Sequence, residues 1–188
     1  MNIDYIFDFA AQTLSENRKI HTEGVKNMAV RLCKTYGCDI LKAEIASICH
    51  DLYRGKEIHV LNFLVCKYDL DRKYLDNPNL AHGKIAEAVM KYELKIDDED
   101  ILNAVSYHTT GRAGMSMLEK IIFISDAIEI NRKPYPRLEE IRTLAFEDIN
   151  KACKISLGNT IEFLNKSKKS IDEDTIKAYE YFQGMEKK

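Results

Sequence analysis

Apolar residues recur every three or four positions along most of this chain, and that spacing limits its fold more than any other feature. Such a pattern puts the apolar side chains on one face of an α-helix. It is clearest over residues 3–14, 25–36 and 149–164. The three prolines fall between the periodic segments and interrupt no helix interior. We therefore predict an all-α fold with about eight or more helices.

Several predicted helices have recognisable ends. The acidic run at residues 97–100 suits a helix N-terminus, where carboxylates meet the positive end of the helix dipole. Ser116 and Glu119 form the S-x-x-E pattern of a capping box. The apolar spacing predicts one helix over residues 41–52 and another over residues 101–108. A loop should join the helix over residues 101–108 to the helix that begins at the capping box.

The composition is typical of a globular protein in water. Of 188 residues, 45% are hydrophobic and 31% charged, and the formal net charge is -2. We expect one domain over residues 1–188. A nearly neutral chain lacks the strongly positive face that binding to a nucleic-acid duplex requires. The sequence shows no secretion signal, no apolar run long enough for a membrane and no C-x-x-C pair, so we expect a cytoplasmic protein without membrane association.

Ionisable residues occupy positions where the apolar helix faces should be buried. Four of the five histidines do so, namely His21, His50, His82 and His108. Asp126 follows Leu118 and Ile122 on one helix face, and Asp51 comes directly after a histidine. Burying an ionised carboxylate without a partner costs several kcal/mol, so a cation should lie near both aspartates.

A divalent transition metal is the simplest such cation, because imidazole and carboxylate groups are its usual ligands. A lone histidine on an apolar face is more often a hydrogen-bonded core residue, and a single His-Asp pair occurs often by chance. The order His, His-Asp, His, His, Asp on separate helices is much more specific. We therefore favour a metal site over a purely structural role for these residues.

The same residues carry a family resemblance. The motifs are R-x-x-H at residues 18–21, ICHDL at 48–52, LAHG at 80–83, YHTTGRAGMSMLEKIIFISDAIE at 107–129 and DTIKAYEYF at 174–182. With them the chain resembles the HD superfamily of metal-dependent phosphohydrolases, whose pattern is H…HD…H…H…D on a helical bundle. Within that superfamily it looks like the YqeK-like bacterial symmetrical diadenosine-tetraphosphate hydrolases.

The resemblance implies hydrolysis of diadenosine tetraphosphate at its centre to two ADP, by hydroxide that a bound metal generates from water. The implied metal is iron, with one or two ions per chain. By position, the implied metal ligands are His21, His50, Asp51 and Asp126. His82 and His108 match two further histidines that contact the substrate phosphates or hold a second ion. Asp51 would bridge two ions or orient the attacking water, so Asp51, His82 and His108 are the candidate catalytic residues.

The chain departs from the family pattern in two places. Tyr53-Arg54 stands where a small residue and a lysine are expected, and Asp172-Glu173 replaces an expected His-Pro. Arg54 keeps the positive charge. The second departure changes the chemistry of the C-terminal segment, where the family pattern would suggest a substrate contact.

Substrate phosphates need positive charge and hydrogen-bond donors from the protein. The candidates near the metal-type residues in sequence are Arg18, Arg112, Arg132, Thr109 and Thr110. TTGRAG at residues 109–114 is a glycine-containing loop where donors can approach an anion, although an ordinary helix connection has the same composition. We expect these five residues, together with His82 and His108, to bind the substrate.

Two rival functions stay open at the level of sequence. HD proteins as a class also act on cyclic nucleotides, nucleoside monophosphates, deoxynucleoside triphosphates and guanosine alarmones. A non-catalytic nucleotide-binding regulator would use the same bundle, but it would not need the full set of ligand-type residues. A homodimer is also open, because the apolar stripe over residues 149–164 suits either a dimer face or a buried central helix.

Overall fold

The computed structural model describes residues 3–185, and within that range the chain forms ten α-helices, one short 3-10 helix and no strand. In chain order these are α1 (Ile3–Thr13), α2 (Glu16–Tyr36), α3 (Ile40–Cys49), α4 (Ile58–Lys67), the 3-10 helix (Arg72–Tyr74), α5 (Pro78–Tyr92), α6 (Glu99–Ser106), α7 (Met117–Ile128), α8 (Leu138–Glu147), α9 (Ile149–Lys166) and α10 (Glu173–Met185). The all-α fold is confirmed. Over the same range, no helix combines the length and apolar character needed to cross a membrane. A single domain over residues 1–188 stays a prediction.

Helix α7 lies at the centre of the bundle, packed against α2, α3, α6, α8 and α9. Its side chains Ile121, Ile122 and Ile124 are fully buried, and each such burial stabilises the fold by about 1.5–3 kcal/mol. The predicted capping box is confirmed, since Ser116 and Glu119 exchange both side-chain-to-backbone hydrogen bonds at the start of this helix. Because α7 touches so many helices, side chains at its C-terminal end can meet residues from distant parts of the chain.

Two helices end earlier than the apolar spacing predicts. The sequence predicted helix through residues 52 and 108, but α3 and α6 stop before both positions. After α3 the backbone turns through Tyr53 (φ 66°) and Gly55 (φ 80°), and after α6 through Gly111 (φ 64°). These left-handed conformations cannot continue a right-handed helix. The His-Asp pair and the fourth histidine of the motif therefore lie in turns just beyond helix ends.

The apolar stripe of α9 is buried inside the chain itself. Ala152, Cys153 and Leu157 are fully buried, and α9 packs against α7, α8 and α10. Helix α8, which the sequence analysis did not identify, covers part of this face with Ile141 and Ala145. Packing within one chain thus explains the stripe without a dimer face, and a homodimer stays a prediction.

A buried ion pair holds the loop between α6 and α7. Glu119 is 2% exposed, and its two oxygens accept hydrogen bonds from Nε and Nη2 of Arg112, each at 2.6 Å. This two-pronged geometry is the strong form of an arginine–carboxylate contact. Arg112 was predicted to bind substrate, which stays a prediction; in the structure its guanidinium contacts Glu119. The reason is electrostatic, because a buried carboxylate needs a cation inside the protein.

We expect Arg112→Ala to lower the free energy of unfolding by about 3 kcal/mol, because it leaves the Glu119 carboxylate buried without its cation. Urea unfolding measures this loss. Arg137→Ala is the matched control, since Arg137 makes the same two-pronged contact with Glu140 at the surface. Exposed pairs contribute little, so the control should unfold close to the wild-type urea concentration. Equal unfolding midpoints for the two variants would contradict the structural role of Arg112.

Candidate metal centre and active site

Six ionisable side chains from separate parts of the chain meet at one place inside the bundle. His21 lies on α2, His50 and Asp51 follow α3, His82 lies on α5, His108 follows α6, and Asp126 lies on α7. Five of the six are buried, whereas the carboxylate of Asp126 is 21% exposed. The fold therefore brings together every histidine and aspartate that the sequence pattern singled out.

The four residues predicted as metal ligands form one cluster. The Nε2 atom of His21 lies 3.0 Å from Oδ1 of Asp126 and 3.6 Å from Oδ2 of Asp51. The Nε2 atom of His50 lies 3.8 Å and 3.6 Å from the same two oxygens. Two imidazole nitrogens and two carboxylate oxygens thus surround a single point, as a metal site requires. Their role as ligands stays a prediction.

A second cluster lies on the other side of Asp51. Its Oδ1 atom is 3.3 Å from Nε2 of His82 and 3.9 Å from Nε2 of His108. The two imidazole nitrogens are 3.0 Å apart. Asp51 therefore offers one oxygen to each cluster, and an arrangement of two ions sharing one carboxylate fits this geometry.

Backbone carbonyls fix how the histidine rings present their nitrogens. The Nδ1 atom of His50 lies 2.5 Å from the carbonyl oxygen of Ser47, and Nδ1 of His108 lies 2.7 Å from that of Val105. A carbonyl oxygen can only accept, so Nδ1 carries the proton in both rings. The lone pair of each Nε2 then faces the centre, which is the form of histidine that binds metals.

The charge states in the centre also suit a metal. Burial lowers the pKa of His50, and burial together with the neighbouring His82 and His50 lowers the pKa of His108 to about 3. Burial acts to raise the pKa of Asp51 and Asp126, but the adjacent histidines and, for Asp126, also Arg132 outweigh it and hold both pKa values below the ordinary range. His21 differs from the other two histidines, because burial acts to lower its pKa but its contact with Asp126 raises it. His50, His108 and the two aspartates thus have the protonation states that metal ligands adopt, namely neutral imidazole and ionised carboxylate.

The centre contains buried nitrogens that the described residues do not satisfy. Nε2 of His50 has no hydrogen-bond partner among residues 3–185, and Nε2 of His21, although 3.0 Å from Oδ1 of Asp126, makes no well-aligned hydrogen bond there. Buried polar atoms without partners are rare and costly, and a bound ion is one of the few explanations. With a donor set of imidazoles and carboxylates, the residues present fit a divalent transition metal.

Gly83 allows the two histidines of the second cluster to meet. A Cβ atom there would lie 3.2 Å from Cε1 of His108 and 3.2 Å from the backbone oxygens of Val105 and Ser106. The missing side chain lets α5 approach the end of α6 closely. Sequence analysis did not assign this role to Gly83, although its position directly after His82 in the LAHG motif was a signal.

The centre opens into a cavity of about 1580 Å³. Its walls include α2, the C-terminal end of α7 and α9, and six basic side chains line it: Arg18, Arg54, Arg132, Lys133, Lys166 and Lys169. His21, His108 and Asp126 reach the same cavity. A polyanion that entered it would meet the metal-type residues and a basic wall together.

The predicted phosphate-binding residues fall into two groups. Arg18 and Arg132 line the cavity next to the centre, where Arg18 Nη1 lies 2.7 Å from Oδ2 of Asp51 and Arg132 pairs with Asp126. Thr109 and Thr110 line it as well. The Thr109 hydroxyl is 3.0 Å from Nε2 of His108, and the buried Thr110 hydroxyl has no partner among the described residues.

Arg112 forms the second group by itself. It is not one of the cavity-lining residues within residues 3–185, in keeping with its contact to Glu119. We therefore keep the prediction of direct substrate contact for Arg18, Arg132, Thr109 and Thr110. Arg112 supports the loop that carries the two threonines.

The two departures from the family pattern both lie at the cavity. Nη1 of Arg54 is 3.1 Å from Nδ1 of His82, whose ring also lies 3.2 Å from the carbonyl oxygen of Pro78. Asp172 lines the cavity and pairs with Lys73 at 3.0 Å. Arg54 was not predicted as a site residue, although its charge close to the His-Asp pair could have indicated one.

Comparison with known proteins agrees with this geometry. Residues 18–131 match the model of the HD domain family, and all six side chains of the centre lie in that span. The chain belongs to the HD domain family. This confirms the resemblance stated from the sequence motifs.

Relatives of this HD domain protein align over nearly its whole length. The symmetrical bis(5'-nucleosyl)-tetraphosphatase of Bacillus subtilis is 38% identical over 182 residues, which is 96% of this chain and 97% of the relative. A protein of the same name from Halalkalibacterium halodurans is 41% identical over 167 residues, which is 88% of this chain and 89% of the relative. The crystal structure of a Clostridium acetobutylicum protein, described as a predicted HD superfamily hydrolase involved in NAD metabolism, is 37% identical with a TM-score of 0.90 and covers 98% of each chain.

We expect Gly83→Ala to lower both the transition-metal content and the thermal stability of the protein. The added Cβ would push α5 from α6 and separate His82 from His108, whereas glycine-to-alanine changes at compatible helical positions normally stabilise by about 0.4–1 kcal/mol. Elemental analysis and the melting temperature measure the two effects. Gly158→Ala is the matched control, because its Cβ would meet Tyr179 at an ordinary 3.4 Å. Wild-type metal content in Gly83→Ala would count against the second cluster as a metal site.

Proposed function

We propose that this protein hydrolyses diadenosine tetraphosphate symmetrically to two molecules of ADP. The observation that carries the proposal is the pair of His-Asp clusters sharing Asp51 at the edge of a basic cavity. The relatives named symmetrical bis(5'-nucleosyl)-tetraphosphatase support the choice of substrate, since they align with almost all of this chain. The cytoplasmic location expected from the sequence is part of this proposal.

The two clusters would each hold one metal ion. One ion would be held by His21, His50, Asp51 and Asp126, and the second by Asp51 together with His82 and His108. We take the metal to be iron, on the basis of the family resemblance. A divalent ion at such a site lowers the pKa of a water molecule to about 7 and neutralises charge on phosphate oxygens. Asp51 faces both clusters, so its carboxylate sets the spacing between them.

The chain's own cations would orient the tetraphosphate. Arg18 and Arg132 already contact the carboxylates of Asp51 and Asp126, so their guanidinium groups lie where phosphate oxygens must approach the centre. Guanidinium groups bind phosphate through two parallel hydrogen bonds, which fixes its direction as well as its position. Thr109 offers a hydroxyl beside His108 that can donate to the same phosphates. Together these groups would hold the central phosphoric anhydride at the metal-type residues.

Helix α9 provides a surface for a nucleoside. It contributes none of the six metal-type residues, yet Asn159, Thr160 and Phe163 of this helix line the cavity. Phe163 is 62% exposed, so its ring is available for stacking with a base. The cavity exceeds the roughly 300–1,000 Å³ of ordinary ligand sites, as a molecule with two nucleosides and four phosphates would require.

Incubation of the purified, metal-loaded protein with diadenosine tetraphosphate should yield ADP as the only nucleotide product, resolved by anion-exchange chromatography. Asp51→Asn should abolish the reaction, because it removes the charge shared by both clusters. Asp97→Asn, at an exposed position, should hydrolyse at the wild-type rate. AMP with ATP would show asymmetric cleavage, and absence of turnover would favour another nucleotide substrate or a non-catalytic nucleotide-binding regulator.

Phe163→Ala should raise the KM for diadenosine tetraphosphate about tenfold, because stacking of a base on an aromatic ring contributes about 1–3 kcal/mol. The turnover number should change less, since Phe163 lies on a helix that carries none of the metal-type residues. Phe63→Ala is a closely matched control: Phe63 is 65% exposed on α4 and is not among the residues that line the cavity. Steady-state kinetics of the two variants decide the point, and equal KM values would remove α9 from base recognition.

A further inference from the structure

The orientation of His21 depends on a residue far away in sequence. His50, His82 and His108 each place Nδ1 near a backbone carbonyl that is only three or four residues earlier. His21 instead places Nδ1 3.2 Å from Oε1 of Glu129, which is 108 residues later. Its ring is therefore positioned by tertiary structure, through one side chain.

Glu129 is an unusual residue to find at this position. It is 1% exposed, and within the described range His21 is its only side-chain partner for an ion pair. Its other oxygen, Oε2, accepts a hydrogen bond from the backbone N–H of Asn131 at 2.6 Å. Burying a carboxylate this deeply is unfavourable unless hydrogen bonds or opposite charge compensate for the lost water. Here the compensating hydrogen bonds connect α2 to the turn after α7.

Gly24 provides the space that Glu129 occupies. It lies one turn after His21 on α2, inside a 21-residue helix where glycine is otherwise unfavourable. A Cβ atom at Gly24 would lie 2.4 Å from Oε2 and 3.1 Å from Cδ of Glu129. Only glycine, which has no side chain, leaves room for the Glu129 carboxylate at this position. The space at Gly24 and the carboxylate of Glu129 therefore fit each other.

We propose that Glu129 is a positioning residue that holds His21 as a metal ligand, and that Gly24 is present to admit it. The Glu129 carboxylate accepts a hydrogen bond from the Nδ1–H group of His21. This contact keeps the Nε2 lone pair directed at Asp51 and Asp126. A carboxylate in this position also makes the imidazole a stronger ligand. The inference rests on the proposed metal centre, and it assigns Glu129 and Gly24 to metal affinity rather than to substrate binding.

The test is the affinity of the full-length, nucleotide-free protein for Co²⁺, measured by competition with a chelator and by the visible absorbance of the bound ion. Glu129→Ala and Gly24→Ala should each weaken Co²⁺ binding about 10- to 100-fold. Glu129→Gln should bind Co²⁺ more tightly than Glu129→Ala but less tightly than the wild type, because its amide oxygen can accept from Nδ1 whereas its amide nitrogen cannot accept from the backbone N–H of Asn131. Gly184→Ala is the control for a helical glycine, since nothing lies within 4 Å of its added Cβ; it should bind as the wild type does.

The outcomes separate positioning from mere support of the fold. A structural role alone would lower the melting temperature of the metal-free variants without changing Co²⁺ affinity or absorbance in the folded molecules. That result, or Co²⁺ affinity of Glu129→Ala within about twofold of wild type, overturns the proposal. If the alanine variant does not fold, the comparison of Glu129→Gln with Gly24→Ala decides it. Because no nucleotide is present, failure to hydrolyse diadenosine tetraphosphate would leave this result standing, whereas a wild-type protein that binds no Co²⁺ would overturn the metal centre and this inference together.

Discussion

The buried charge of Asp51 is the constraint on which the rest of the structure depends. Its side chain is 5% exposed; Arg18 forms an ion pair with it, and the rings of four histidines lie within 4 Å of its oxygens. Taking a carboxylate out of water is expensive, and only opposite charge or a metal ion offsets that cost. The apolar helices around it supply stability, but they are arranged so that ligand-type groups from α2, α5 and the turns after α3 and α6 reach this one residue.

The positions at which α3 and α6 end are as important for building the centre as the helices themselves. Helix α3 ends at Cys49, and His50 and Asp51 lie in the turn directly after it. The left-handed residues Tyr53 and Gly55 stop the helix from resuming beyond this turn. Close approach of α5 to the end of α6, which Gly83 permits, completes the second cluster. Both features place functional groups at helix ends, where side-chain direction is free of helical periodicity.

The metal-type centre and the proposed base-stacking surface lie in different parts of the chain. All six residues of the centre lie within residues 18–131, the span shared with the HD domain family. Phe163, Asn159 and Thr160 lie beyond that span, on a helix that packs against α7, α8 and α10 and carries none of the six residues. This division is consistent with a family whose members share one metal chemistry and differ in the nucleotides they accept. Selectivity for a dinucleotide would then depend on α9 and on the basic residues at its C-terminal end.

The sequence by itself determined the all-α fold, the capping box of Ser116 and Glu119, and the six ligand-type residues, because each follows from local spacing or from polar residues on apolar faces. It did not identify α8, the early ends of α3 and α6, or the true partner of Arg112. Only the tertiary structure decided that Glu129 lies against His21 and that Arg112 lies against Glu119. The physical reason is that periodicity records which side of a helix is buried, whereas the neighbour across the interface depends on how distant helices pack.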